Sequence, residues 1–270
     1  MTLYDWPRTT AFGRIVPKVR IYKHSGANAT LKGLFIREVD QIVWSHKLAP
    51  ETVNLAATRQ VTEIQVFRIT SRSAILSRAV LHTVDRTIPF PLIFEIVYEG
   101  RIRLAAAYKR ANEADSTRWV VSDYFESDWL PEDTRRTPLP VAIDMEALYE
   151  QLLSPLVDAQ SARLVLGIAE PPQTPYLPAM PEKAATLTAC IARTEAIKAR
   201  TRDIERIKAR LAREKQFNKR VAINAKLRTA RQELEQLTTG NSCVAQTNPT
   251  QETASSASEL AHANNNMTND

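Results

Sequence analysis

Glycine is scarce in this chain of 270 residues, six in all, and none are grouped into a phosphate-cradling loop, so neither common nucleotide-binding fingerprint is present. Cysteine is scarcer still. Cys190 and Cys243 fall in what reads as exposed helix and tail, and they supply neither a disulfide framework nor metal-ligand spacing. The four histidines, His24, His46, His82 and His262, are scattered without an HExxH-like pattern, which argues against zinc. No Ser-His-Asp or Cys-His order suggests nucleophilic catalysis. No stretch approaches the roughly 18 uncharged apolar residues of a membrane span, and Met1-Thr-Leu-Tyr-Asp-Trp-Pro7 has no basic start followed by an apolar run. The expectation is a cytoplasmic protein with no metal, no cofactor and no membrane contact.

Hydrophobic residues make up 44% and charged residues 24%, close to globular averages, so a buried core is expected. The net charge of +6 is unevenly placed. Residues 1–181 carry 21 Lys and Arg against 20 Asp and Glu, residues 182–237 carry 15 against 7, and residues 238–270 carry none against 3. The basic character therefore belongs to one element.

Periodicity divides the chain into an α+β body over 1–166, a linker over 167–182, a basic helical arm over 183–239 and a disordered tail over 240–270. The body opens with a basic segment, Phe12 to His24, that shows no regular pattern; Asn28 or Thr30 then caps a short helix through Arg37. Alternation of apolar and polar residues predicts strands over 39–48 and 61–69, separated by a loop from Ala49 to Gln60. Ser73 starts a helix with Ile75, Leu76, Ala79, Val80 and Val84 on one face, and Ile88-Pro-Phe-Pro91 ends it. Segments 91–98 and 101–109 form a hairpin about Glu99-Gly100, with a further strand at 118–125, giving a mixed or antiparallel sheet with flanking helices. Met145, Leu148, Tyr149, Leu152 and Leu156 mark a closing helix packed by one face.

Five prolines between Pro171 and Pro181 imply an extended, semi-rigid linker. From Glu182 to Thr239 there is no glycine or proline. Ile197, Ile204 and Leu211 are seven apart, and Ile223, Leu227, Ala230, Leu234 and Leu237 step by four and three, as in a coiled-coil seam. The register shifts near Phe217 and Val221, which places a bend or hairpin there. The Asn/Ser/Thr/Ala-rich tail lacks the apolar content of a core.

Several short motifs occur in order: Trp44-x-x-Lys47-Leu48, Glu63-Ile-Gln-Val-Phe67, Ile88-Pro-x-Pro-x-Ile-Phe94, Ala107-Tyr-Lys109, Leu139-Pro-x-x-Ile-Asp-Met-Glu-x-Leu-Tyr149 and the coil segment from Glu214 to Leu227. Together they resemble the bacterial family catalogued as domain of unknown function 4391, over roughly residues 4 to 238. The resemblance implies a setting beside helicases and DNA methyltransferases of restriction or phage-defence type. It carries no catalytic residues to transfer.

Two candidate sites follow. On the arm, Arg202, Arg206, Lys208, Arg210, Arg213, Lys215, Lys219 and Arg220 supply cations that would track a phosphate backbone. The bland alternative is a solvated coiled coil with surface pairs to Glu205 and Glu214. Phe217 is the one aromatic nearby, so base stacking along single strands is not expected. The second candidate is a nuclease centre in which Asp40, Glu63 and Gln65 hold Mg²⁺, with Lys47 or Lys109 polarising the attacking water. Against it, Glu63 pairs equally well with Lys47 on the strand surface, and Lys109 with Asp85 or Glu95. The leading expectation is a non-catalytic accessory subunit of a DNA restriction or phage-defence assembly. Its body would dock a helicase or methyltransferase, and its arm would touch duplex DNA or form homo-oligomers. The alternative is a Mg²⁺-dependent restriction-type nuclease.

Overall fold

A computed structural model of the chain describes residues 3–112, 119–166 and 186–239. The proline-rich segment and the tail lie outside the described residues, as does Cys243.

The body is α+β, built on a seven-stranded mixed sheet ordered β2-β3-β4-β5-β6-β7, with β8 beside β6. The strands are β2 (Ala11–Ile15), β3 (Val39–Leu48), β4 (Ile64–Ser71), β5 (Leu92–Tyr98), β6 (Arg101–Ala111), β7 (Trp119–Glu126) and β8 (Leu130–Pro131). Only β4 and β5 pair parallel in this sheet, because α4 (Arg78–Thr87) carries the chain back between them. β5 and β6 close through Glu99 and Gly100, both at positive φ, as a two-residue hairpin turn requires. A small second sheet pairs β1 (Leu3–Asp5) with β9 (Arg136–Pro138), and α3 (Pro50–Val53) follows β3.

The sheet is covered on both faces. On one lie α1 (Lys18–Ser25), α2 (Ala29–Glu38) and α4, burying Ile21, Phe35, Val80 and Val84 against Phe67, Ile69, Phe94 and Ile96. On the other, α5 (Met145–Leu166) buries Met145, Leu148, Tyr149, Leu152 and Leu156 against Ile93, Leu104 and Ala106. β5 therefore reads as a nearly continuous apolar run, as a strand buried on both faces must.

Three expectations need correction. The opening segment is regular: β2 carries a bulge with Gly13 at φ 63°, which hides its alternation, and Pro17 then starts α1. The helix expected from Ser73 begins only after Ser77, whose side chain accepts from the Ala79 N–H. Before it, the Ser71 and Ser73 hydroxyls donate to the Ser73 and Ile75 carbonyls and hold a turn, leaving Ile75 exposed. Cys190, expected on an exposed helix, is buried with the α5 core.

The basic segment forms two helices, α6 (Leu187–Arg213) and α7 (Phe217–Thr239), separated by residues 214–216, where the Glu214 carboxylate accepts the Gln216 N–H at 3.0 Å. They run antiparallel: Arg193 donates to the Leu237 carbonyl at 2.8 Å, and Arg200 pairs with Glu233 at 2.9 Å. Ile197 and Ile204 of α6 meet Leu227, Ala230 and Leu234 of α7. Leu187, Cys190 and Ile191 belong to the core cluster of α5, so the start of α6 is packed on the body.

Candidate nucleic-acid interface

The hairpin is tied to the body by a short chain of contacts that starts in β7. Between Ala107/Tyr124 and Lys109/Val121 the β6–β7 register shifts by an extra residue on β7. The Ser122 hydroxyl takes up the Tyr108 N–H at 2.9 Å, and the Tyr149 hydroxyl accepts from the Lys109 N–H at 3.0 Å and donates to the Ala107 carbonyl at 2.8 Å. Next to this bulge, Asp123 meets two α6 cations, Lys198 at 3.7 Å and Arg202 at 3.5 Å. Lys198 also lies over the Phe125 ring, 5.2 Å from its centroid. Burial lowers the Lys198 pKa, and Asp123 works against that shift. Bulges often re-aim side chains in this way; here Asp123 is aimed at the hairpin.

The eight arm residues singled out by sequence therefore divide into three groups. Arg202 is engaged with Asp123 and serves the anchor. Arg206 and Lys208 pair within α6, with Asp203 and with Glu205 (2.8 Å for the latter). Such exposed pairs contribute little and exchange readily for another anion. Arg210, Arg213, Lys215, Lys219 and Arg220 are exposed at the apex, and none has a carboxylate within ion-pair distance among the described residues. On α7, Lys226, Arg228 and Arg231 are likewise exposed and unpaired among the described residues, and sequence reasoning missed them. Their signal was present: an eleven-residue span from Ile223 to Glu233 has three cations and only one acid, at its end. Between the helices runs a groove of about 550 Å³ lined by Arg200, Arg206, Arg210 and Lys226 together with Asp203 and Glu233.

A second basic face was also missed. From Trp6 to Arg37 there are seven Lys and Arg and no acidic residue, a run hidden when charge is averaged over the whole body. Lys18 is used internally, donating to the Val39 carbonyl at 2.5 Å. Arg20 and Lys23 of α1 and Lys32 and Arg37 of α2 point outward without ion pairs among the described residues. Interspersed are Ile15, Val19 and Ile36, 63%, 70% and 61% exposed.

The proposed nuclease constellation is not assembled. Asp40 is exposed and pairs with Arg72 at 3.0 Å, at the end of β3 that faces Ser71. Glu63 lies at the opposite end, before β4, where Leu48 faces Ile64. Seven residues of strand separate Asp40 from Lys47, roughly 23 Å at about 3.3 Å per residue. Glu63 instead accepts from the Gln65 amide at 2.5 Å and pairs with Lys47 at 3.4 Å, while Lys47 also meets Glu51 at 2.8 Å. Lys109 is elsewhere again: its ammonium meets Asp85 at 3.0 Å and donates to the carbonyls of Asp85, Ile88 and Phe90. Tyr124 donates to the other Asp85 oxygen. Burial pushes Lys109 down and Asp85 up, and their mutual attraction opposes both shifts. Among the described residues, no group of three or more His, Cys, Asp or Glu side chains is placed to hold a metal ion.

The arrangement defines an α+β protein carrying a basic two-helix hairpin with an exposed apex. The model of the family described as domain of unknown function (DUF4391) matches residues 4–234, and the chain belongs to that family. No curated protein and no solved structure matches it. Among the described residues, no helix is long and apolar enough to cross a membrane.

Proposed function

We propose that the protein is a non-catalytic accessory subunit of a bacterial DNA restriction or phage-defence assembly, contacting duplex DNA through the apex of the α6–α7 hairpin. One observation carries this reading: five exposed cations, Arg210, Arg213, Lys215, Lys219 and Arg220, stand together at that apex without ion pairs among the described residues. Folding gains little from such a cluster, whereas a phosphate backbone binds it through counterion release. The helicase or methyltransferase partner would dock on the body. The α1–α2 face suits such docking, because exposed Ile15, Val19 and Ile36 would be buried within a rim of cations. The nuclease alternative gains no support from Asp40, which the length of β3 separates from the hydrogen-bonded pair Glu63 and Gln65.

The test is retardation of a duplex of arbitrary sequence by the full chain in low salt. A variant with Ser or Gln at Arg210, Arg213, Lys215, Lys219 and Arg220 is expected to lose most of the binding while keeping its helicity. Undiminished binding by that variant would remove the apex from the reading. Cleavage of the DNA in Mg²⁺, lost in Glu63→Ala, would favour the nuclease.

A further inference from the structure

Phe217 is the first residue of α7 and is 77% exposed at the apex; Val221, one turn on, is 53% exposed. Both lie off the packed stripe of α7, which consists of Ile223, Leu227, Ala230 and Leu234. With Asn224 and Arg228, at i+7 and i+11 from Phe217, they form an outward stripe that hairpin packing leaves unused. A large aromatic ring left in water at the end of a hairpin does nothing for the fold. Arg213, Lys215, Lys219 and Arg220 all lie within four residues of it, without ion pairs among the described residues. That much like charge opposes the meeting of two such apices, so a second copy is a poor occupant.

Resting on the nucleic-acid reading, we propose that the apex recognises duplex DNA at a point where a base is unpaired, with Phe217 stacking on that base while the flanking cations hold the neighbouring phosphates. A perfect duplex offers phosphates to the cations but covers its base faces, so the ring gains nothing there. An extrahelical or forked base exposes a π-face, and stacking on an aromatic side chain is insensitive to sequence. Apolar side chains also enter unstacked base steps as wedges. A single ring serves one base, which separates this site from a track for long single strands.

Fluorescence anisotropy of the full chain on a perfect duplex, and on the same duplex with one unpaired base, tests the proposal. Wild type is expected to bind the second about tenfold more tightly, a typical gain for one stacked base. Phe217→Ala should bind both as wild type binds the perfect duplex, and Phe217→Trp should keep the preference. A 2-aminopurine placed at the unpaired position should lose fluorescence on binding wild type and not on binding Phe217→Ala. Equal affinity of wild type for the two DNAs, or a preference that survives Phe217→Ala, overturns this inference alone. Failure to bind either DNA overturns the nucleic-acid reading as well. A fall in oligomeric state of Phe217→Ala by sedimentation would make the apex a contact between copies and overturn the stacking role.

Discussion

Lys109 shows how far a single residue can be read before folding. Sequence offered it as a possible catalytic cation or as an ion-pair partner of Asp85 or Glu95; only the fold selects Asp85 and shows that the ammonium also holds three backbone carbonyls at the end of α4. Side chains 24 residues apart meet there because the α4 crossover returns the chain beside β6, which no local pattern encodes. Lys109→Met would leave Asp85 buried beside orphaned carbonyls, and a loss of about 3–5 kcal/mol in urea unfolding is expected. A loss under about 1 kcal/mol would mean that water reaches the site. Asp158 on α5 makes a second, pH-dependent prediction. Burial raises its pKa to about 6. A carboxylate whose folded pKa is raised favours folding while protonated, and that contribution is lost as pH rises through about 6. Asp158→Asn should therefore stabilise the protein at pH 7.5 by up to about 1 kcal/mol, after allowing for partial solvent access, and by much less at pH 4. Equal effects at both pH values would contradict the shift.

At the scale of elements, β3, the β5–β6 hairpin, α2 and α5 were legible because each is specified locally: alternation for β3, Glu99-Gly100 for the hairpin turn, Asn28 for the α2 cap, and Leu148, Leu152 and Leu156 for the α5 stripe. β2 was not legible, since its bulge at Gly13 breaks the period. Nor was the true start of α4, where serine hydroxyls compete with helical hydrogen bonds. The break between α6 and α7 was visible as a register shift near Phe217, but their fold-back depends on pairing Ile197 and Ile204 with Leu227 and Leu234. Leu227→Ala should therefore weaken the hairpin by about 2 kcal/mol or more. The check is an earlier loss of helical circular dichroism on heating, with the near-ultraviolet signal of the body retained. Simultaneous loss of both signals would show that hairpin and body unfold as one unit.

For the whole molecule, sequence divided a body over residues 1–166 from the helical arm over 183–239. Leu187, Cys190 and Ile191 of α6 instead share the core of the body, and Asp123 binds Lys198 and Arg202. A fragment ending at residue 166 is expected to be less stable than the full chain and to bind a hydrophobic dye; a fragment of unchanged stability would show that α6 is dispensable. The same anchorage leaves the apex as the part of the hairpin farthest along both helices from these contacts, where its cations are free to meet an external polyanion. The most direct measurement is the salt dependence of duplex binding by the full chain. With five apex cations each neutralising a phosphate, log K against log of salt concentration should have a slope of about −4.5. That slope should fall towards zero when Arg210, Arg213, Lys215, Lys219 and Arg220 are replaced by Ser or Gln. A slope that stays the same in the substituted protein, or binding indifferent to salt in wild type, would contradict the assignment of the hairpin apex to DNA.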